Sequence, residues 1–248
     1  MMQSNPDRLL TPEQAAELLQ VSTRTIYGWL RAGEIPGTQI GGRLWRLREG
    51  DILTNDVRSL LESGLKCDAR CEVEEGAVAF RKSLELNPHY NLANFCLGNM
   101  YYRWSHYHRA VEPLRKAIEL NPEWVAPYGV LGMNYNYWGL YSEAEPVLRK
   151  AIELVPNHAD SYYHLGFSLT QQFVKDGEAI TAFRKAVELN PTHLMASSFL
   201  GDVLIRQGDF IGAKEVYDNL KGLNERFAED HLRKLEWARQ QYLPRRIV

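Results

Sequence analysis

The sequence predicts a mostly α chain in two parts: a small head of two short helices and a hairpin, then an α-solenoid of stacked helix pairs closed by a capping helix. Three observations predict it. Near-copies RKSLELNP, RKAIELNP, RKAIELVP and RKAVELNP recur along the chain, their prolines Pro88, Pro122, Pro156 and Pro191 spaced 34, 34 and 35 apart. No such period reaches residues 1–56, which carry two helix-start signals and a glycine pair inside a short alternating stretch. The 248 residues, 45% apolar and 24% charged, have the composition of a folded protein, which excludes disorder as the main state.

In the head, Thr11 followed by Pro12 is an N-cap and first-turn proline, and Glu13–Leu19 carries Ala15, Ala16, Leu18 and Leu19 for a buried face. Val21 falls in a turn. Ser22 is a second N-cap, and Thr23–Ala32 is a second helix closed by Gly33 in a left-handed cap. Ile26, Trp29 and Leu30 are its core residues. Ile40, Gly41-Gly42 and the Leu44/Arg46 alternation then read as a hairpin with a glycine turn, Trp45 lying as a lid on the small core.

Each repeat reads as two antiparallel helices. Gly98, Gly132, Gly166 and Gly201 on the first helices, and Ala110, Ala144, Ala179 and Ala213 on the second, let backbones approach closely. Tyr101, Tyr135, Leu114, Leu148 and Phe183 fill the space between, and proline stops the second helix because it cannot extend the hydrogen-bond ladder. One unit cannot bury its apolar face, so neighbours must stack. The glycines are spaced 34, 34 and 35 and the alanines 34, 35 and 34, which puts one extra residue between Gly166 and Ala179, at a turn where length is tolerated. The expected division is 1–56 for the head and 57–224 for five units (57–90, degenerate, then 91–124, 125–158, 159–193 and 194–224). A capping helix at 225–243 (Phe227, His231, Leu232, Leu235, Trp237, Ala238 and Tyr242 on its apolar side) and a tail at 244–248 follow. One helix over 51–65 is expected to join head and repeats, and Pro113 to bend the helix it interrupts.

The 34-residue unit, with its small/large pattern and closing proline, resembles the tetratricopeptide repeat (TPR) family. Residues 9–53, from LLTPEQAAELLQVSTRTIYGWL through RAGEIPG to GGRLWRLREGDI, resemble the winged helix-turn-helix of excisionases and MerR-like regulators. That second resemblance implies double-stranded DNA as a partner, the second helix entering the major groove and the wing gripping phosphates or the minor groove. It nominates Ser22, Thr23, Arg24, Thr25, Tyr27 and Gly28 on the helix, Arg31 at its end, and Arg43 and Arg46 on the wing. Gly28 departs from the polar or basic residue usual there. The TPR resemblance implies that first helices line a groove for a protein or peptide. Aligned on the Leu-Gly pairs, its lining is Phe95, Asn99, Tyr102 and Arg103, then Met133, Asn136 and Tyr137, then Tyr163, Phe167 and Gln171. Phe95 and Gly129 stand where carboxylate-clamping relatives carry charge, which argues against that mode of capture in the groove.

Bulk charge gives nucleic acid no reason to approach: 29 Lys and Arg against 31 Asp and Glu, net −2. Residues 20–48, however, hold five Arg and one acid, Glu34, a focused patch able to make a few salt-sensitive phosphate contacts. No phosphate-loop, dinucleotide, zinc-protease or nucleophile-elbow motif occurs, so neither an enzyme nor a cofactor is expected. Cys67 and Cys71, four apart on one helix, lack a second ligand pair and read with Cys96 as buried reduced thiols; His106 and His108 read as solvated turn histidines. With no long apolar run and no leader pattern at its start, the chain is expected in the cytoplasm and off the membrane. The function expected is a DNA-binding transcriptional regulator or adaptor whose solenoid binds a partner and supports a homodimer. The alternative is an interaction scaffold whose helix-turn-helix docks protein.

Overall fold

A computed structural model describes residues 8–19, 23–32, 37–40, 44–48, 55–172 and 175–242. Backbone contacts divide the chain into two compact units, Met1–Asn134 and Tyr135–Val248.

The first unit begins with β1 (Leu9–Leu10), α1 (Pro12–Leu19), α2 (Thr23–Ala32), β2 (Thr38–Ile40) and β3 (Leu44–Arg48). Thr11 caps α1 reciprocally with Gln14: the Thr11 N–H donates to Gln14 Oε1 (2.9 Å) and the Gln14 N–H to Thr11 Oγ1 (3.3 Å). The expected hairpin is β2–β3, with Thr38 opposite Arg46 and Ile40 opposite Leu44. β1 adds to the other edge of β3 (Leu9 opposite Arg48, Leu10 opposite Leu47), giving an antiparallel sheet of order β1-β3-β2. Two residues are too few to show alternation, so the sequence pattern does not reveal β1. Leu10, Ala15, Ala16, Ile26, Leu30 and Leu47 form the buried core, with Trp45 packed partly against it as the lid expected. Val21, Ser22, Gly33, Gly41, Gly42, Arg43 and the 244–248 tail lie outside the described residues, as do the side chains of Thr25 and Trp29.

Next come α3 (Asn55–Ala69), α4 (Val73–Leu86), α5 (Asn91–Arg103), α6 (Tyr107–Leu120) and α7 (Val125–Trp138). α3 packs on α4, α4 on α5 and α5 on α6. The small/large logic holds in three dimensions, since a Cβ on Gly64 would sit 2.6 Å from the Phe80 ring and one on Gly98 2.6 Å from Leu114. Pro113 lies inside α6 as expected, and the chain carries a second internal proline, Pro146, in α8 (Tyr141–Leu154). The Cys67–Cys71 expectation needs correction: α3 ends at Ala69, and Cys71 sits exposed in the following turn at φ 66°, off the helix face. Cys67 and Cys96 are half-buried rather than buried, and desolvation pushes the Cys96 thiol up to about 12.

The second unit contains α8, α9 (Ala159–Gln171), α10 (Asp176–Leu189), α11 (Leu194–Arg206), α12 (Phe210–Leu223) and α13 (Glu225–Tyr242). Four residues, 172–175, separate α9 from α10, where three (207–209) separate α11 from α12, so the extra residue falls in the turn as the spacing implied. α13 packs on both α11 and α12 and buries Ala228, His231, Leu235 and Ala238. Trp237, expected on that apolar side, is instead 65% exposed, because the buried stripe runs through its neighbours 235 and 238. Among the described residues no helix is long and apolar enough to cross a membrane.

Candidate functional site

The outer face of α2 follows from its inner one. Ile26 and Leu30 are buried, so the positions at i, i+3, i+4 and i+7 from Arg24 turn outward, and Arg24, Gly28 and Arg31 are exposed with Tyr27 half-buried between them. Thr23, at the helix start, is half-buried. A Cβ at Gly28 would meet nothing within 4 Å, so the glycine leaves a flat, open notch in this face. Arg46 is half-buried on β3, its Nη1 donating to the Trp45 carbonyl at 2.9 Å.

One acid joins this edge that sequence counting placed elsewhere. The Tyr27 hydroxyl lies 3.5 Å from Glu13 Oε1. A backbone N–H first, then Thr11 and Tyr27, with the field of Arg46, holds the Glu13 carboxyl below its usual range, so it is ionised there. The signal was available: α1 and α2 fold as a tight pair, which brings the first turn of one beside the middle of the other.

Among the groove positions in the first unit, Phe95 packs against Trp124 with ring centroids 4.8 Å apart. Asn99 is half-buried, and the Tyr102 hydroxyl points to Met133 Sδ at 3.8 Å. Arg103 is exposed but engaged, its Nη1 2.5 Å from Asp68 Oδ2, and the other Asp68 oxygen accepts from Trp104 Nε1 at 2.8 Å. Asp68 is itself buried, so this carboxylate fixes the C-terminal end of α5.

In the second unit Asn136 is buried. Its Nδ2 donates to the His164 carbonyl (2.9 Å) and its Oδ1 accepts from Ser168 Oγ (2.5 Å), so its amide ties helices together. Tyr137 is 62% exposed. Tyr163 and Phe167 belong to an aromatic cluster: Tyr163 lies 4.8 Å from His193 and 6.0 Å from Phe199, and Phe167 meets Phe199 edge-on at 5.4 Å and Tyr141 at 6.1 Å. Burial pushes the Tyr163 phenol up to about 12. Gln171 is half-buried. Phe199 was missed because it stands two before the Leu-Gly glycine, a position held by Cys96, Val130 and His164 in the other units and not among the aligned groove positions. Also missed were two histidine N-caps, His158 Nδ1 accepting from the Ser161 N–H and His193 Nδ1 from the Ala196 N–H. Histidine is not a usual capping residue, so composition gave no signal.

Two kinds of family model match the chain. Residues 9–54 match a helix-turn-helix domain, while 125–158 and 159–193 match one tetratricopeptide repeat model and 177–223 another. The chain thus joins an N-terminal helix-turn-helix domain to TPRs. No curated protein matches it. Among solved structures it is similar to MamA from Desulfovibrio magneticus RS-1, residues 41 to the end, at 21% identity over 76% of this chain and 98% of that one, TM-score 0.61. It is also similar to YrrB, described as a TPR protein with an unusual peptide-binding site, at 22% identity over 72% of this chain and 92% of that one, TM-score 0.61. Pseudomonas aeruginosa PilF resembles it at 22% identity, over 75% of this chain and 90% of that one, TM-score 0.59. At such identities the likeness shows the repeat fold.

Proposed function

We propose that this chain is a DNA-binding regulator or adaptor in which the head, 1–56, contacts double-stranded DNA and the repeats, 57–224 with their cap at 225–243, hold a protein or peptide. The observation that carries the reading is the outward stripe of α2, with Arg24 and Arg31 flanking Tyr27 and the open notch at Gly28. A helix that buries one face in its own small core and presents two guanidiniums and a phenol on the other is suited to a major groove lined by phosphates. Thr23 and Thr25, with Ser22 ahead of them, stand at the helix end that would meet base edges, and Arg43 and Arg46 would reach phosphate from the wing. In the repeats, Phe95, Asn99, Tyr102, Arg103 and Met133 offer one partner surface and Tyr137, Tyr163, Phe167 and Gln171 another; Asn136 would shape the second from beneath. The reading needs no enzyme activity and no cofactor, and it has the protein acting in the cytoplasm, as a homodimer when bound to DNA.

Selection from random duplexes should enrich a defined site. Binding should weaken steeply with salt, and Arg24→Ala combined with Arg43→Ala should lower affinity at least tenfold and flatten the salt slope by about two. Unchanged binding by that double variant would sink the DNA reading. A second reading is favoured by Glu13, whose ionised carboxyl sits against Tyr27 on the same edge and would repel phosphate. On that reading the head docks protein, no DNA sequence is enriched, and partner capture resists salt.

A further inference from the structure

The repeats of the first unit contain a cleft of about 460 Å³ that the groove positions do not line. It opens where α4, α5 and α6 meet. The in-register cleft of a later unit, about 500 Å³, is lined by Tyr162 where this one has Asn94, so the two differ in chemistry rather than in size: Tyr101 stands here where that cleft has Leu169, and Arg109 where it has Glu178. Asn94 and Leu97 line this gap from α5 and Pro113 from α6.

At the floor of this gap stands Tyr101, 98% buried by its 2% exposure, with its hydroxyl oxygen accepting two hydrogen bonds from two guanidiniums: Arg81 Nη2 at 2.8 Å and Arg109 Nη2 at 2.9 Å. A phenol oxygen accepts twice and donates once. With both acceptor positions taken, the proton is the remaining capacity of the group, and among the described residues no acceptor takes it. The two arginines are not equivalent. Arg109 lies over the Tyr101 ring at 4.3 Å and is held by Glu74 in a bidentate pair, at 2.6 and 3.0 Å, so its charge is matched. Arg81 bonds only the neutral phenol and makes no ion pair among the described residues, although its field reaches Glu74. Lys116 at the rim is paired with Glu119, and Glu112 is exposed at the mouth.

We infer that this cleft binds one carboxylate, the Asp or Glu side chain of a partner peptide, between the Tyr101 O–H and the unused N–H groups of Arg81. Two fixed donors side by side match the two oxygens of a planar carboxylate, and bonds to an ionised acceptor are the strong ones. One unmatched guanidinium suits one negative charge, and Glu112 at the mouth disfavours a phosphate dianion. The apolar floor, Leu97 and Pro113, receives the aliphatic part of the same side chain. This site lies outside the groove positions and stands independently of what the head binds.

The experiment uses the full chain against an array of random heptapeptides made in pairs that differ only in a central Glu or Gln. The expected result is a set of pairs in which the Glu member binds at least tenfold tighter. That preference should drop below twofold in Tyr101→Phe, which keeps the ring, and in Arg81→Gln, which removes the unmatched charge from an exposed position. Ile211→Ala, at an exposed position in the other unit, should leave it intact. The proposal is overturned if no pair shows a Glu preference, or if the preference survives in Arg81→Gln; thermal melting identifies any variant that has unfolded, and Arg81→Gln decides alone should Tyr101→Phe be one of them.

Discussion

A methyl group added at Gly201 would run into His231 Cε1, and the imidazole has nowhere easy to go because its Nε2 donates to the Ala213 carbonyl at 2.8 Å. At Gly28 the same methyl meets nothing within 4 Å. Glycine to alanine should therefore act with opposite signs at the two positions. Gly201→Ala is expected to destabilise by about 2–3 kcal/mol through overpacking and loss of that hydrogen bond. Gly28→Ala should stabilise by up to about 1 kcal/mol, because an exposed helix-interior glycine has only its entropy cost to lose. Urea unfolding of the full chain reads both, and a Gly201→Ala midpoint equal to the parent's would refute the contact. The need for glycine at 201 was legible from the Leu-Gly series, in which Gly98 faces Leu114 and Gly166 faces Phe183. That the large side chain here would be a histidine thirty residues on was not, since the cap helix follows no repeat and nothing in its pattern ranks His231 above Trp237.

Among the elements, α9 carries the clearest pH dependence. Burial pushes the His164 imidazole down to about 4; Asp160 partly offsets this, and His193 and His158 add to it. An unfolded chain takes up that proton near 6.5. Between those values the unfolded state binds more protons, so the contribution is fully present above about 6.5 and is lost as pH falls toward 4. The loss is on the order of 2–3 kcal/mol. Urea midpoints at pH 7.5 and 4.5 should differ more in the parent than in His164→Leu, and equal differences would show that the imidazole does not carry the effect. The same helix marks how far pattern reaches. Its start and its glycine came directly from spacing, because a 34-residue period repeats every backbone approach. Which way a polar residue faces did not. Asn136 and Tyr137 are adjacent on one helix turn, yet Asn136 is 4% exposed and Tyr137 62%, a difference set by where the neighbouring helices pack. Asp176 shows the same gap from the other side: it is buried at the start of α10, receiving Arg206 Nε at 2.9 Å and Gln207 Nε2 at 2.8 Å, although a helix-start acid reads from sequence as solvated.

For the whole molecule, charge decides how the head can be used. The chain is net −2, yet five Arg lie within residues 20–48, so the attraction to DNA proposed for the head would be local and opposed by the rest of the protein. Each phosphate neutralised contributes about 0.9 to the slope of log affinity against log salt, so a head with three or four cations in reach is sensitive to salt but weak alone. Glu13 on the same edge weakens it further. On the proposed DNA reading, useful affinity requires two heads on one duplex, where the second contact forms at an effective concentration set by the tether between them and overall affinity gains about 10²–10⁴-fold. A selected site should therefore contain two half-sites. Halving it to one should lower affinity at least a hundredfold at physiological salt, while the slope against salt falls by about half. Equal binding to single and paired half-sites, measured by titration across a salt series with the mass of the complex recorded in parallel, would show that one head suffices.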